Sequence, residues 1–166
     1  MQNIIPTVWI SSIDHLNSFS ALAKENPWWK LVLGLNKVPA DFPQVKIGRK
    51  KYPLVMFSAG TLTLFERQME FRANNTNSVN QLNFINLKDD LRFDIPYSSL
   101  TITKYTHPKP FLKAFNIPWI NLALSDNGTA SHFLLSFGGN NLSKKQVERA
   151  NDELFELLKN KISTVF

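Results

Sequence analysis

Cysteine is absent from this chain, so disulfide frameworks, thiolate metal sites and cysteine nucleophiles are all excluded. Charge is scarce as well. Charged residues make up 19% of the sequence, below the roughly 25% usual for soluble domains. No basic residue precedes Lys24, and Asp14 interrupts the apolar stretch that follows Ile4 and Ile5, so no secretory signal is read at the N-terminus. The longest uncharged runs, such as residues 52–65, fall short of the roughly 20 residues a membrane span requires and alternate as strands do. A cytoplasmic protein is therefore the expectation, with peripheral membrane association as its extension.

Catalytic constellations are also missing. His15, His107 and His132 fall on a predicted helix, loop and strand, without metal-ligand spacing among them. Ser58-Ala59-Gly60 lacks the upstream glycine and following helix of a nucleophile elbow. Asp89-Asp90 reads as a turn, and Asp94 alternates onto an outer strand face. Gly138-Gly139 lacks the remainder of any phosphate-cradling loop, and Asp126-Asn127-Gly128 lacks the alternating acids of a calcium loop. The expectation is a protein that is not an enzyme, with no cofactor and no metal.

What the chain does contain is material for a core. Of 166 residues 43% are hydrophobic, with thirteen Phe and four Trp, enough for one domain built around large rings. The stretch GTLTLFERQMEFRA (60–73) writes out a β-hairpin and fixes its own register. Folding it about Glu66-Arg67, or over a four-residue loop 65–68, sets Leu64 against Met69 and Leu62 against Phe71, with Thr63 facing Glu70 and Thr61 facing Arg72 on the wet side. A slip of one residue would expose all four apolar side chains. A second hairpin is predicted around Asn127-Gly128, a favoured two-residue turn, pairing Leu122 with Phe133 and Ile120 with Leu135.

Other strands are read at 54–58, 82–87, 91–95 and 100–105. The terminal helix carries the fullest set of signals. Ser143 caps it, Gln146 completes a capping box, Leu142 staples to Val147, and the inner stripe runs through Val147, Ala150, Leu154, Leu157 or Leu158, and Ile162. Upstream, residues 1–45 read as a separate helical and extended arm, in which Ser12 caps a helix through Ile13, Leu16, Phe19 and Leu22 or Ala23, stopped by Pro27. The rest, 46–166, reads as one domain.

The order of about seven antiparallel strands and one closing helix resembles a pleckstrin-homology-like (PH-like) barrel of the GRAM or bacterial type. Three stretches carry the likeness: GTLTLFERQMEF (60–71), FDIPYSSLTI (93–102) and NDEL (151–154). The expected class is α+β, mainly β: an antiparallel barrel capped by a C-terminal helix, with an N-terminal helical extension. The resemblance implies a non-catalytic binding or adaptor domain for anionic lipid headgroups, membrane surfaces, or a peptide or protein partner. In lipid-binding members the cations lie on and between the first two strands.

Net charge is +6 and the pI about 9.6, which favours anionic partners. The densest basic run holds Lys46, Arg49, Lys50 and Lys51, and it is the candidate ligand site together with Lys104, Lys109 and Lys113. Taking the strand near Tyr52 as the first, this run precedes the sheet. A single-stranded nucleic-acid-binding module is the alternative reading, since basic charge and aromatics are its ingredients. Most of the Phe residues, however, alternate onto the buried face.

Overall fold

The computed structural model describes residues 2–25, 44–47, 50–53, 58–74, 91–106, 117–126, 129–138 and 142–165. Its centre is a seven-stranded antiparallel sheet in the order β6-β5-β4-β1-β9-β8-β7. The strands are β1 (Asn3–Ser11), β4 (Ser58–Leu64), β5 (Gln68–Ala73), β6 (Arg92–Pro96), β7 (Leu100–Tyr105), β8 (Trp119–Asp126) and β9 (Thr129–Phe137). A separate two-stranded ladder joins β2 (Gln44–Ile47) to β3 (Lys50–Pro53). Helix α1 (Ile13–Glu25) follows β1, and helix α2 (Lys144–Ser163) ends the described chain. The strands expected within 54–57 and 82–87 lie outside the described residues.

Both hairpins have the register that alternation dictates. Leu64 pairs with Met69, Leu62 with Phe71, Thr63 with Glu70 and Thr61 with Arg72. Their loop closes where the Phe65 N–H donates to the Gln68 carbonyl at 2.9 Å. In the second hairpin Leu122 faces Phe133 and Ile120 faces Leu135. The capping box on α2 is likewise formed: the Gln146 N–H donates to Ser143 Oγ at 3.3 Å, and the Ser143 N–H to Gln146 Oε1 at 2.7 Å.

Two expectations meet a different arrangement. The stretch read as an arm supplies β1, which lies in the middle of the sheet, paired with β4 through residues 3–10 and with β9 through Val8–Ser11. Pro6 argues against a central strand because it has no N–H to give. The chain accommodates it with a bulge: Ile5 pairs with Leu62 and Val8 with Gly60, so Pro6 and Thr7 together oppose Thr61. Thr61 Oγ1 then donates to the Pro6 carbonyl at 3.2 Å. The helix after β1 begins as expected, with the His15 N–H donating to Ser12 Oγ at 3.0 Å.

The second difference is closure. β6 and β7 stand at opposite ends of the strand order, and no ladder joins them among the described residues, so the sheet is open rather than a closed barrel. It is nevertheless curled. Six inter-strand steps of about 4.8 Å would set the edges of a flat sheet about 29 Å apart. Here a single 3-10 turn (Tyr97–Ser99) links them, and three residues reach only about 10 Å. Pro96 lacks an N–H, and the turn redirects the chain; its Tyr97 N–H donates to the Arg67 carbonyl at 3.0 Å. The seam is therefore pinned at that end by a loop instead of zipped by a ladder.

Curling lets one core serve every strand. Val8 and Ile10, Leu62 and Leu64, Met69 and Phe71, Ile95, Leu100, Ile120 and Leu122, and Leu135 all point into it, and Leu154 and Leu158 of α2 fill the middle. Phe71, Phe93 and Phe133 add stacked rings at 5.1 and 5.3 Å. At the bend, Gly60 is required: a Cβ there would collide with the Arg72 carbonyl and come within 2.8 Å of the Phe71 ring. On the outer face, Leu16 of α1 packs with Ile117, Trp119, Leu134 and Val147.

Candidate functional site

The seven predicted ligand residues separate into groups. Lys46, Lys50 and Lys51 belong to the β2–β3 hairpin, where Lys46 pairs with Lys51 and Ile47 with Lys50. Arg49, Lys109 and Lys113 lie outside the described residues. Lys104 sits on β7, its ammonium 2.7 Å from Asp152 Oδ1 and 5.2 Å from the centre of the Phe155 ring. Its partner is therefore α2, so it is already committed to holding the helix against the sheet.

With β1 at residues 3–11, the hairpin falls between the first and second strands of the seven-stranded sheet. In chain order the basic run therefore lies between two strands of the sheet and not ahead of it. The charge distribution along the sequence sharpens this. Residues 26–57, which connect α1 to β4, hold six cations against one acid, and residues 107–116 hold two lysines and no acid. Residues 75–90 hold one lysine and two acids, and all the remaining segments together hold ten cations and ten acids. The sheet and its helices are neutral. The whole excess of positive charge belongs to connections.

Many charges on the body are paired with one another. On the outer face of β5 and β6, Glu70 opposes Asp94 and Arg72 opposes Arg92, so attraction runs along the strand and on the diagonals. Glu70 lies 2.6 Å from Arg72 Nε and 3.2 Å from Arg92 Nη2, with Arg92 also 3.9 Å from Asp94. The Arg72 hydrogen bond holds the Glu70 carboxyl below the usual carboxylate range against an opposing desolvation, and Arg92 adds to the lowering. Along α2, Lys144–Glu148 and Arg149–Glu153 are exposed i,i+4 pairs. These pairs leave the outer face of β5 and β6 and the first half of α2 close to neutral.

A different feature lies where the sheet is open. Between β7 and the C-terminal end of α2 runs a groove of about 420 Å³. Leu100, Ile102 and Ile162 give it an apolar floor; Ser98, Thr101 and Ser125 line it with hydroxyls, and Lys159 is its one charged residue. The Lys159 ammonium is 3.9 Å from Glu156 and 64% exposed, a loose contact. Ser163 turns its hydroxyl back to the Lys159 and Asn160 carbonyls, each at 3.0 Å. Sequence reading did not find this groove, because the 3-10 turn, β7 and β8 on one side and the end of α2 on the other are distant in the chain.

Asn151 was also missed as an inward residue. It is buried in α2 beside Val147 and Leu154, where its carboxamide clasps the sheet: Oδ1 accepts from the Phe137 N–H at 2.6 Å, and Nδ2 donates to the Pro118 carbonyl at 2.9 Å and to Ser136 Oγ at 3.0 Å. Its signal was visible, since it falls one turn before Leu154 and two before Leu158 on the apolar stripe. Of the candidates dismissed on sequence, Ser58 has a buried hydroxyl with no partner among the described residues, and His132 is exposed on β9. Among the described residues no cluster of three or more His, Asp or Glu could hold a metal ion, and no helix is long and apolar enough to cross a membrane.

No family model matches the chain, and no curated protein sequence matches it.

Proposed function

We propose that this chain is a non-catalytic PH-like binding domain whose basic connection between the first two strands engages anionic lipid headgroups at a membrane surface. The observation that carries the reading is the charge partition: a neutral sheet and helix pair, with six cations against one acid in residues 26–57. The fold gives it a frame. Numbered by their order in the chain, the seven strands run 4-3-2-1-7-6-5 across the sheet, two antiparallel meanders sharing the first strand, with a terminal helix packed into the curl. That arrangement supports the PH-like resemblance. The position of Lys46, Lys50 and Lys51 on a hairpin between strands one and two supports the ligand role the resemblance implies.

Physics sets the scale. A Lys or Arg near an anionic leaflet contributes about 1 kcal/mol, so four act together for about 4 kcal/mol, roughly a thousandfold in affinity. Trp28 and Trp29, in the same connection, are residues that favour the membrane–water interface. Lipid is therefore a better match than single-stranded nucleic acid, which requires rings spaced along a cationic groove.

The experiment is vesicle flotation of the full chain with zwitterionic vesicles and with vesicles containing phosphatidylserine, repeated for a variant carrying Lys46→Glu, Arg49→Glu, Lys50→Glu and Lys51→Glu. The expected result is binding that needs the acidic lipid and disappears in the variant at an unchanged melting temperature. Equal binding by the variant retires the basic-run proposal. Preference for single-stranded oligonucleotide over acidic vesicles moves the reading to nucleic acid.

A further inference from the structure

The two terminal strands of the open sheet differ. β6 runs from Arg92 to Pro96, carries the exposed charges Arg92 and Asp94 and ends on a residue with no N–H, which are the devices that blunt an edge against further pairing. β7 has neither proline nor bulge and pairs regularly with β8 through all six residues. Its single charge, Lys104, is neutralised by Asp152 of α2. Its exposed side chains are otherwise threonines, Thr101 and Thr103, residues that favour strands. No backbone hydrogen bond outside the ladders reaches Thr101–Tyr105 among the described residues.

We infer that β7 is a docking edge that accepts an extended, acidic segment of a partner protein as an added strand, seated in the groove between β7 and the end of α2. Strand addition draws affinity from main-chain hydrogen bonds and specificity from pockets that receive alternate side chains. Here the apolar floor of Leu100, Ile102 and Ile162 receives every second residue of the segment. Lys159, the one charge lining the groove among the described residues and only loosely held by Glu156 at 3.9 Å, selects for a carboxylate and against a cation. An extended segment suits a slot bounded by Ile162, Ser163 and Lys159 of α2, because a flat sheet edge from a second copy would meet that helix. The site is independent of the basic connection and stands or falls separately from the lipid reading.

The test pans a displayed library of random linear peptides against the full chain, then measures amide exchange with an enriched peptide bound. The expected outcome is enrichment of alternating apolar sequences containing Asp or Glu, with slowed exchange at Thr101–Tyr105 and none at Arg92–Ile95. Lys159→Glu is expected to weaken the acidic peptide at least tenfold and to favour a lysine-bearing counterpart, at an unchanged melting temperature. No enrichment, protection at β6 in place of β7, or affinity indifferent to Lys159→Glu overturns the inference. Concentration-dependent protection of β7 without peptide also overturns it and assigns the edge to a second copy of the chain.

Discussion

The sheet with its helices and the connection at residues 26–57 divide the labour of this chain by charge. The first holds ten cations and ten acids once the three long connections are set aside; the second holds six and one. The core of the neutral part is built from rings, branched aliphatics and a buried carboxamide, and its cations are matched in number by acids. Shape and charge are therefore separable in this protein: substitutions in one region should move stability, and substitutions in the other should move binding.

The strongest attempt to break that separation is Phe71→Ala. Phe71 is fully buried, pairs with Leu62 and Phe93 across two ladders and stacks on Phe93. Removing a buried ring costs about 3–5 kcal/mol, a large part of a typical domain's stability. The urea midpoint is expected to fall accordingly, while the chain that remains folded binds acidic vesicles as before. A variant that loses vesicle binding at native stability would show that the core shapes the lipid site directly.

Asn151→Leu comes next. It keeps the apolar stripe but strands the Phe137 N–H and the Pro118 carbonyl, each a part-buried polar group left without its partner, for about 1–3 kcal/mol. In a chain of this size that lowers the melting temperature by about 2–4 °C per kcal/mol. A neutral or stabilising result would mean that α2 is held by its leucines alone.

These two residues also show what a sequence makes legible. Phe71 was readable because a hairpin is local: alternation on both arms of one turn leaves a single register that keeps Leu62, Leu64, Met69 and Phe71 together. The capped helix was readable for the same reason. Asn151 lies on the same face of the helix, but a stripe defined by apolar residues does not name it, and the strand ends that it clasps come together only through the fold. β1 was hidden by Pro6, which local rules assign to an edge; a bulge opposite Thr61 overrides them. Without β1 the basic run reads as preceding the sheet, and its place between the first two strands follows only from the topology. The β7 groove had no sequence signal, since residues 98–102 and 159–163 become neighbours only through the curl.

A smaller effect comes from pH. Burial pushes the Tyr97 hydroxyl up to about 12, and that hydroxyl donates to the Phe65 carbonyl at 3.3 Å, across the turn that pins the seam. Because the folded state keeps a proton that the unfolded state releases near 10, this contribution is whole below about pH 10 and is lost as pH rises towards about 12. Tyr105, also raised by burial, acts in the same direction. Urea midpoints at pH 9 and pH 11 should differ less in Tyr97→Phe than in the native chain. Vesicle binding at pH 9 should not change, which again sets the body apart from the connection.

The smallest expected effect tests whether the body's neutrality is itself structural. Glu70 is held below the usual carboxylate range chiefly by its hydrogen bond to Arg72. A lowered folded pKa contributes stability that is present above the ordinary carboxylate value, and that stability is lost as pH falls through the folded value. Glu70→Gln should therefore be less stable than the native chain at pH 7, with the gap narrowing at pH 3 and shrinking in high salt, since both arginines are more than half exposed. The same substitution frees Arg72 and Arg92 from their shared acid and gives the sheet a patch of unspent positive charge. If binding to acidic vesicles then rises while the Lys46–Lys51 run is intact, pairing within the sheet is what keeps the lipid surface confined to the connection. If vesicle binding stays fixed, distance alone confines it, and the square of charges serves only to fasten β5 to β6.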